Sequence, residues 1–501
     1  MKAITRRSLL AGVAGTGLVA TAGFRANLFR AEAAEGQPLR IPELIDARSK
    51  GNTISLTAQA GRTTFFSGIE SATRGFNGSY LGPTLRLHRS DEVEIAVTNA
   101  MRETTAVHWH GLLVPAEADG GPHQPIEPGA TWRPRMKIDQ PAATLWYHAH
   151  MHGETARQVY GGLAGMILVA DEAEKALGLP STYGVDDLPL IVQDKIFEDD
   201  RLIYPRHSMF LMHGMRGDTI LVNGTPNALA RVPRGLARLR LVNGSNARVY
   251  DFSFSDDRNF YWIASDAGLL EQPLPRRSLW LAPGQRAELL VDFSDGRAVS
   301  LRTGPDPTFG MSMMGMMSAM GDSLSNSAEV VRFTPQGEPA AQVRIPNRLV
   351  ARELVDPAKV SQRRRFVLTM GHGMMGRGGM GVMRGGMGMM GMFGINGRPF
   401  DMGRIDQTVR LGDTEIWEVT GEMMAHPFHI HGVHFEVLSR AGSGPETEDS
   451  ALRDTVLVQE PVELLVRFTQ PAAHGPFMSH CHTLEHEDAG MMGQFKTTGQ
   501  A

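Results

Sequence analysis

His480-Cys481-His482-Thr483-Leu484-Glu485-His486, followed by Met491, carries the only cysteine of a 501-residue chain. A strand alternates its side chains between two faces, so Cys481 points one way while His480 and His482 both point the other. On the cysteine side, Cys481, His486 and Met491 supply a thiolate, an imidazole and a thioether. One more imidazole completes the two-histidine, one-cysteine set with a weak axial methionine that makes a blue-copper electron-transfer centre. On the other side, two imidazoles are offered to a second metal cluster, a short bond path from the thiolate.

Working outward, three more histidine runs share this spacing: His108-Trp109-His110-Gly111, Tyr147-His148-Ala149-His150, and His426-Pro427-Phe428-His429-Ile430-His431-Gly432. Each His-x-His pair puts both imidazoles on one strand face. Four such pairs hold enough imidazoles for a three-copper cluster, and His426 is left over as the missing ligand of the blue site.

These four segments resemble the copper signatures of the multicopper oxidases, over the whole mature chain. The resemblance implies four copper ions. His426, Cys481, His486 and Met491 match the type 1 ligands, and His108 and His429 the type 2 ligands. His110, His148 and His482 match one type 3 copper, and His150, His431 and His480 the other. It also implies proton delivery by Asp119 and Glu487. Within the family the likeness is nearest to bacterial periplasmic copper-efflux (cuprous) oxidases. The expectation is therefore one-electron oxidation of Cu(I) at the type 1 site, coupled to four-electron reduction of dioxygen to water and serving copper tolerance. A laccase-like phenol oxidase, an Fe(II) oxidase and a non-enzymatic copper-sequestering protein are the alternatives. A copper-free cell-division relative with the same fold is set aside, because it requires lost ligands and none is lost here.

The chain repeats itself three times. Gly82-Pro83-Thr84, Asn223-Gly224-Thr225-Pro226 and Asn396-Gly397-Arg398-Pro399 each lead into an alternating strand, at Glu92, Ala237 and Glu415. Short alternating strands between Asn-Gly and Pro-Gly turns point to Greek-key sandwiches. The expected architecture is all-β, with three cupredoxin-like Greek-key β-sandwich domains over residues 38–172, 186–334 and 345–501. The second carries Asn243, Ser245 and Asn246 where its siblings carry histidines, and is expected to be a structural spacer. The trinuclear cluster would then be shared between the first and third domains.

Length allows several buried cores. A net charge of −4 gives no reason to expect nucleic-acid binding, and one cysteine excludes an intrachain disulfide. Thr5-Arg6-Arg7-Ser8-Leu9-Leu10, a Gly/Ala-rich apolar stretch and Ala31-Glu32-Ala33 read as a twin-arginine signal over residues 1–34, exporting the protein to the periplasm. No later segment reaches transmembrane length, and a monomer is expected because one chain closes the cluster.

Methionine is abundant, with 29 residues. One rich segment spans Met311–Met320. The other, a domain-three insertion at about 370–393, contains Met370, Met374, Met375, Met380, Met383, Met387, Met389, Met390 and Met392 with His372. Thioethers are soft donors that select Cu(I), so this segment is read as a copper trap. Glu422-Met423-Met424-Ala425 places a carboxylate and a thioether just before His426. Glu422 and Met424 are the expected hand-off point for Cu(I), with Met423 packed inward. The family has aspartate where Glu422 stands. The remaining histidines read as surface or core residues, with His152 beside a ligand run.

Overall fold

The computed structural model describes residues 36–66, 68–205, 212–308, 327–340, 344–351, 360–371, 393–472 and 474–499. The expected signal peptide, both methionine-rich segments from Met311 to Met320 and from Met374 to Met392, His207 and His372 lie outside the described residues.

Six sheets pair into three sandwiches. The same wiring recurs in each, and it explains the threefold sequence pattern. The opening strand pairs in parallel with a later one after the chain has crossed to the facing sheet. Thr53–Thr64 pairs so with Glu92–Asn99, Asp187–Glu198 with Leu236–Asn243, and Gln362–Met370 with Thr414–Gly421. The strand in between pairs in parallel with the last strand of its unit: Thr84–His88 with Ala164–Ala170, Ala228–Pro233 with Ala328–Gln336, and Gln407–Arg410 with Met492–Thr498. This is cupredoxin-like Greek-key topology, in which the chain crosses repeatedly between two facing sheets that bury their inner faces against each other.

Each sandwich has its own core. Ile54, Leu56, Val93, Ile95 and Val97 fill the first. Leu239, Leu241, Phe252, Trp262 and Phe333 fill the second. Phe366, Trp417, Phe428, Val456 and Phe495 fill the third. The strand Ala143–Ala149 is buried on both faces. Its Leu145 and Tyr147 join the first core, while Trp146 packs with Met166, Ile191 and Val242 in a small cluster that joins the first sandwich to the second. The chain's first described strand, Gln37–Pro38, adds in parallel to Ala228 and Leu229 of the second sandwich before the chain enters the first. Among the described residues, no helix is long and apolar enough to cross a membrane.

Candidate metal centres

Two strand pairs bring the histidine runs together. His108 lies opposite His148 where Val107–His110 meets Ala143–Ala149. His429 lies opposite His480 where His426–Ile430 meets Phe477–Cys481. The two pairs face each other across the junction of the first and third sandwiches. His108 Nε2 is 3.3 Å from His429 Nε2, and His150 Nε2 is 3.2 Å from His480 Nε2. His431 Nε2 is 3.1 Å from His480 Nε2, and His110 Nδ1 is 3.4 Å from His148 Nε2. Donor atoms fall within 4.8 Å of one another in the groups His108/His429/His431, His110/His148/His482 and His150/His431/His480. All eight rings are buried.

Cys481 points to the opposite face, as strand alternation requires. Its Sγ is 3.5 Å from His426 Nδ1 and 3.7 Å from His486 Nδ1. Met491 is fully buried in the third core, and its backbone is tied to the same loop: Cys481 N–H donates to Met491 O and Met491 N–H to His486 O.

In six of the eight cluster rings, and in both rings beside Cys481, the outer nitrogen is anchored, which leaves the inner one as an acceptor. His108 Nδ1 donates to Asp119 O, His429 Nδ1 to Asp454 O, His148 Nδ1 to Ala149 O and His480 Nδ1 to Cys481 O, at 2.9–3.1 Å. His431 Nδ1 donates to Asp119 Oδ2 at 2.6 Å, and His110 Nε2 to Asp454 Oδ1 at 3.1 Å. At the other centre, His426 Nε2 donates to Glu422 O and His486 Nε2 to Met212 O.

Burial dominates the protonation chemistry. It lowers His150 and His480 to about 3 and His426 and His429 to about 4, and it holds His110, His148, His431, His482 and His486 well below the usual range. Burial also pushes the Cys481 thiol up to about 12, and raises Asp119. Asp454 goes the other way: burial opposes its ionisation, yet Arg286 beside it holds it well below the carboxylate range.

These residues fit copper. Neutral imidazoles with nitrogens 3.1–3.4 Å apart present lone pair to lone pair, an arrangement that a cation between them relieves. Neither ring nitrogen of His482 has a hydrogen-bond partner among the described residues, although buried polar atoms are normally satisfied. The thiolate, imidazole and thioether set is one for copper.

The acidic residues expected beside the cluster sit against it. Asp119, on the short helix Ala116–Asp119, holds His431, while its Oδ1 has no partner. Glu487 is buried on the helix Leu484–Asp488, 3.2 Å from His480 Nδ1 and 3.4 Å from His150 Nδ1. Glu422 accepts from Met370 N–H through Oε2 at 3.0 Å. The methionines after it are the reverse of what register suggested. Met423 is 78 % exposed, and Met424 packs on the third core. The cause is a tight three-residue turn, closed by Met424 N–H donating to Glu422 O, with Met423 at φ 63° at its tip. His152 lies against Phe400, His88 pairs with Asp46, His123 bonds Gln494 and His434 bonds Gly111 O.

Sequence reasoning missed the second sandwich's part in both centres; it is more than a spacer. Gly284, at φ 84°, lies so close to the His482 ring that a Cβ would sit 2.8 Å from its Cδ2. Asn246 Nδ2 donates to Glu485 Oε1 at 2.7 Å, and Met215 N–H to Glu485 Oε2 at 3.0 Å, fixing the helix that carries His486. Arg286 makes a two-pronged ion pair with Asp454. A strand arginine in an apolar run, at Arg286-Ala287-Glu288-Leu289-Leu290-Val291, was the one available signal.

Comparison with known proteins agrees on the family and corrects the activity. Two multicopper oxidase family models match residues 57–174 and 366–501. The cell division protein FtsP of Shigella dysenteriae is 38% identical over 92% of this chain and 93% of its own. FtsP of a Rahnella species is 38% identical over 98% of each chain. A solved structure of a laccase-like multi-copper oxidase, CueO from an Ochrobactrum species, is 40% identical, covers 92% of this chain and all of its own, and has a TM-score of 0.82. The expectations of a cuprous oxidase and of an oxygen-reducing enzyme are overturned by the near full-length likeness to proteins named for cell division. So is the argument that set a division protein aside. A complete ligand set establishes what a chain can hold, whereas turnover needs substrate access and electron entry that ligands alone do not supply. Sequence, sandwich topology and the gathered imidazoles together make this chain a member of the multicopper oxidase family.

Proposed function

We propose that this chain works in cell division, in the periplasm after twin-arginine export, as a protein that holds copper. The observation that carries the division role is the 38% identity to FtsP proteins along nearly the whole chain. Geometry supports the copper: four ions, with His426, Cys481, His486 and Met491 around one and the eight paired imidazoles around three. Of these, His108 and His429 would hold the type 2 ion. His110, His148 and His482 would hold one type 3 ion, and His150, His431 and His480 the other. Copper bound by thiolate and imidazole supplies a one-electron couple. The chain's own residues keep the imidazoles neutral, orient them through Asp119 and Asp454, and exclude water by burial. Because the imidazoles come from the first and third sandwiches, metal at this junction joins the two and sets the surface the molecule presents to a division partner.

Deletion of the chain from its host, followed by microscopy of dividing cells under envelope stress, tests the division role. Cells lacking it are expected to form unseparated chains or filaments, and the wild-type protein to restore separation. A variant combining His429→Ala with His480→Ala is expected to restore it less well at equal abundance. Normal division in the deletion strain under every stress applied would overturn the reading.

A further inference from the structure

Arg286 stands at the start of the strand Arg286–Asp292 in the second sandwich and is fully buried. Its Nη1 donates to Asp454 Oδ1 at 2.7 Å and its Nη2 to Asp454 Oδ2 at 2.5 Å. The guanidinium also donates to Gly284 O, Asp266 O and Thr144 O, and Asp266 Oδ1 accepts from Arg286 N–H. A fork so placed keeps Asp454 ionised and acceptor-only. Two histidines of the cluster hang on that one residue: His110 through Oδ1, and His429 through the backbone oxygen. Thr455 Oγ1 adds a third bond to Oδ1. Since Asp454 can only accept, the proton of His110 sits on Nε2. Its Nδ1 then faces inward, 3.4 Å from His148 Nε2, whose own proton is spent on Ala149 O. His110 is thus turned the other way round from His108, His148, His429 and His431, which are anchored through Nδ1. Gly111 leaves the space for this arrangement. At φ 91°, a Cβ there would lie 2.5 Å from Arg286 Nη2 and 2.8 Å from Asp454 Oδ2.

We infer that Arg286 is a positioning residue for the imidazole cluster: acting through Asp454, it sets the tautomer of His110 and makes copper retention depend on the second sandwich. One buried hydrogen-bonded chain thereby spans all three sandwiches: His110 from the first donates to Asp454 of the third, which Arg286 of the second holds in an ion pair. Asp266 lies against the same guanidinium, its Oδ1 3.6 Å from Arg286 Nη1. The inference rests on the copper-holding reading above.

Copper retention against a competing chelator, read together with the visible absorption of the thiolate-bound copper, tests it. Arg286→Met is expected to release cluster copper about 10–100-fold more readily, in line with the loss of other outer-shell partners. The absorption from Cys481, on the opposite strand face, should stay. Arg286→Lys, which keeps the charge and loses the fork, should fall between. Retention equal to wild type in Arg286→Met would overturn the inference. A second measurement needs no variant: nitrogen NMR of ¹⁵N-histidine in the copper-free wild type should find His110 protonated at Nε2, and protonation at Nδ1 would overturn the inference. If wild type takes copper only at Cys481, the copper-holding reading of the cluster fails, and the tautomer of His110 still decides the role of Arg286.

Discussion

At the scale of single residues, alternation along a strand explains why the ligands were legible. His108 and His110, or His429 and His431, need only an unbroken strand to share a face, and a cysteine between His480 and His482 must take the other. Met423 and Met424 were not legible in this way, because a turn and not a strand precedes His426. The positive φ at Met423 turns its side chain to solvent and strains a residue with a Cβ. Met423→Gly is therefore expected to leave stability unchanged or raise it by up to about 1 kcal/mol, since relief of strain offsets the added freedom of the unfolded chain. Met424→Gly removes a core contact and should destabilise. Urea unfolding of the two variants side by side checks the contrast.

At the scale of elements, the helix Leu484–Asp488 does more than link Cys481 to His486. Its Glu485 is held by Asn246, Met215 and Tyr204, all of the second sandwich. Its Asp488 accepts from the backbone N–H groups of Thr155 and Ala156, capping the helix Thr155–Gly161 of the first. That helix has no side-chain cap of its own at Glu154, so a residue more than 300 positions away supplies what a local Ser or Asp ordinarily would. No sequence pattern announces such a cap; Asp454 passed unnoticed for the same reason, and Arg286 had only its place in an apolar strand run to mark it. Asp488→Ala should cost about 1–3 kcal/mol by leaving two donors unpaired. Amide hydrogen exchange at Thr155 and Ala156 should rise above that of the surrounding strand Ala143–Ala149. Unchanged exchange there would mean water replaces the carboxylate without loss.

At the scale of the molecule, the buried imidazoles couple folding to pH. His426 and His429 drop from 6.5 to about 4, and His150 and His480 to about 3. The unfolded chain therefore binds protons that the folded chain refuses. Stability is full above pH 6.5 and falls as the pH drops from there toward 3. The copper-free protein should melt at steadily lower temperature across that window, with proton uptake on unfolding. Copper-loaded protein should resist until protons displace the metal. A flat melting profile between pH 6.5 and 4 would mean that the rings are hydrated in solution. The three-sandwich architecture was legible because the turn and strand pattern recurs three times. The proposed biological role was not: ligand chemistry is written in local spacing, whereas the likeness to proteins named for cell division is spread along nearly the whole chain and sits in no short motif.

The cluster draws His108, His110, His148 and His150 from one stretch of chain and His429, His431, His480 and His482 from another more than 270 residues later. During synthesis, the first four emerge long before their counterparts exist. A chain cut short anywhere before His482 is left with an incomplete nest of imidazoles and no second half to cover it. All eight imidazoles therefore come together only in a chain extended past His482 whose two stretches have met.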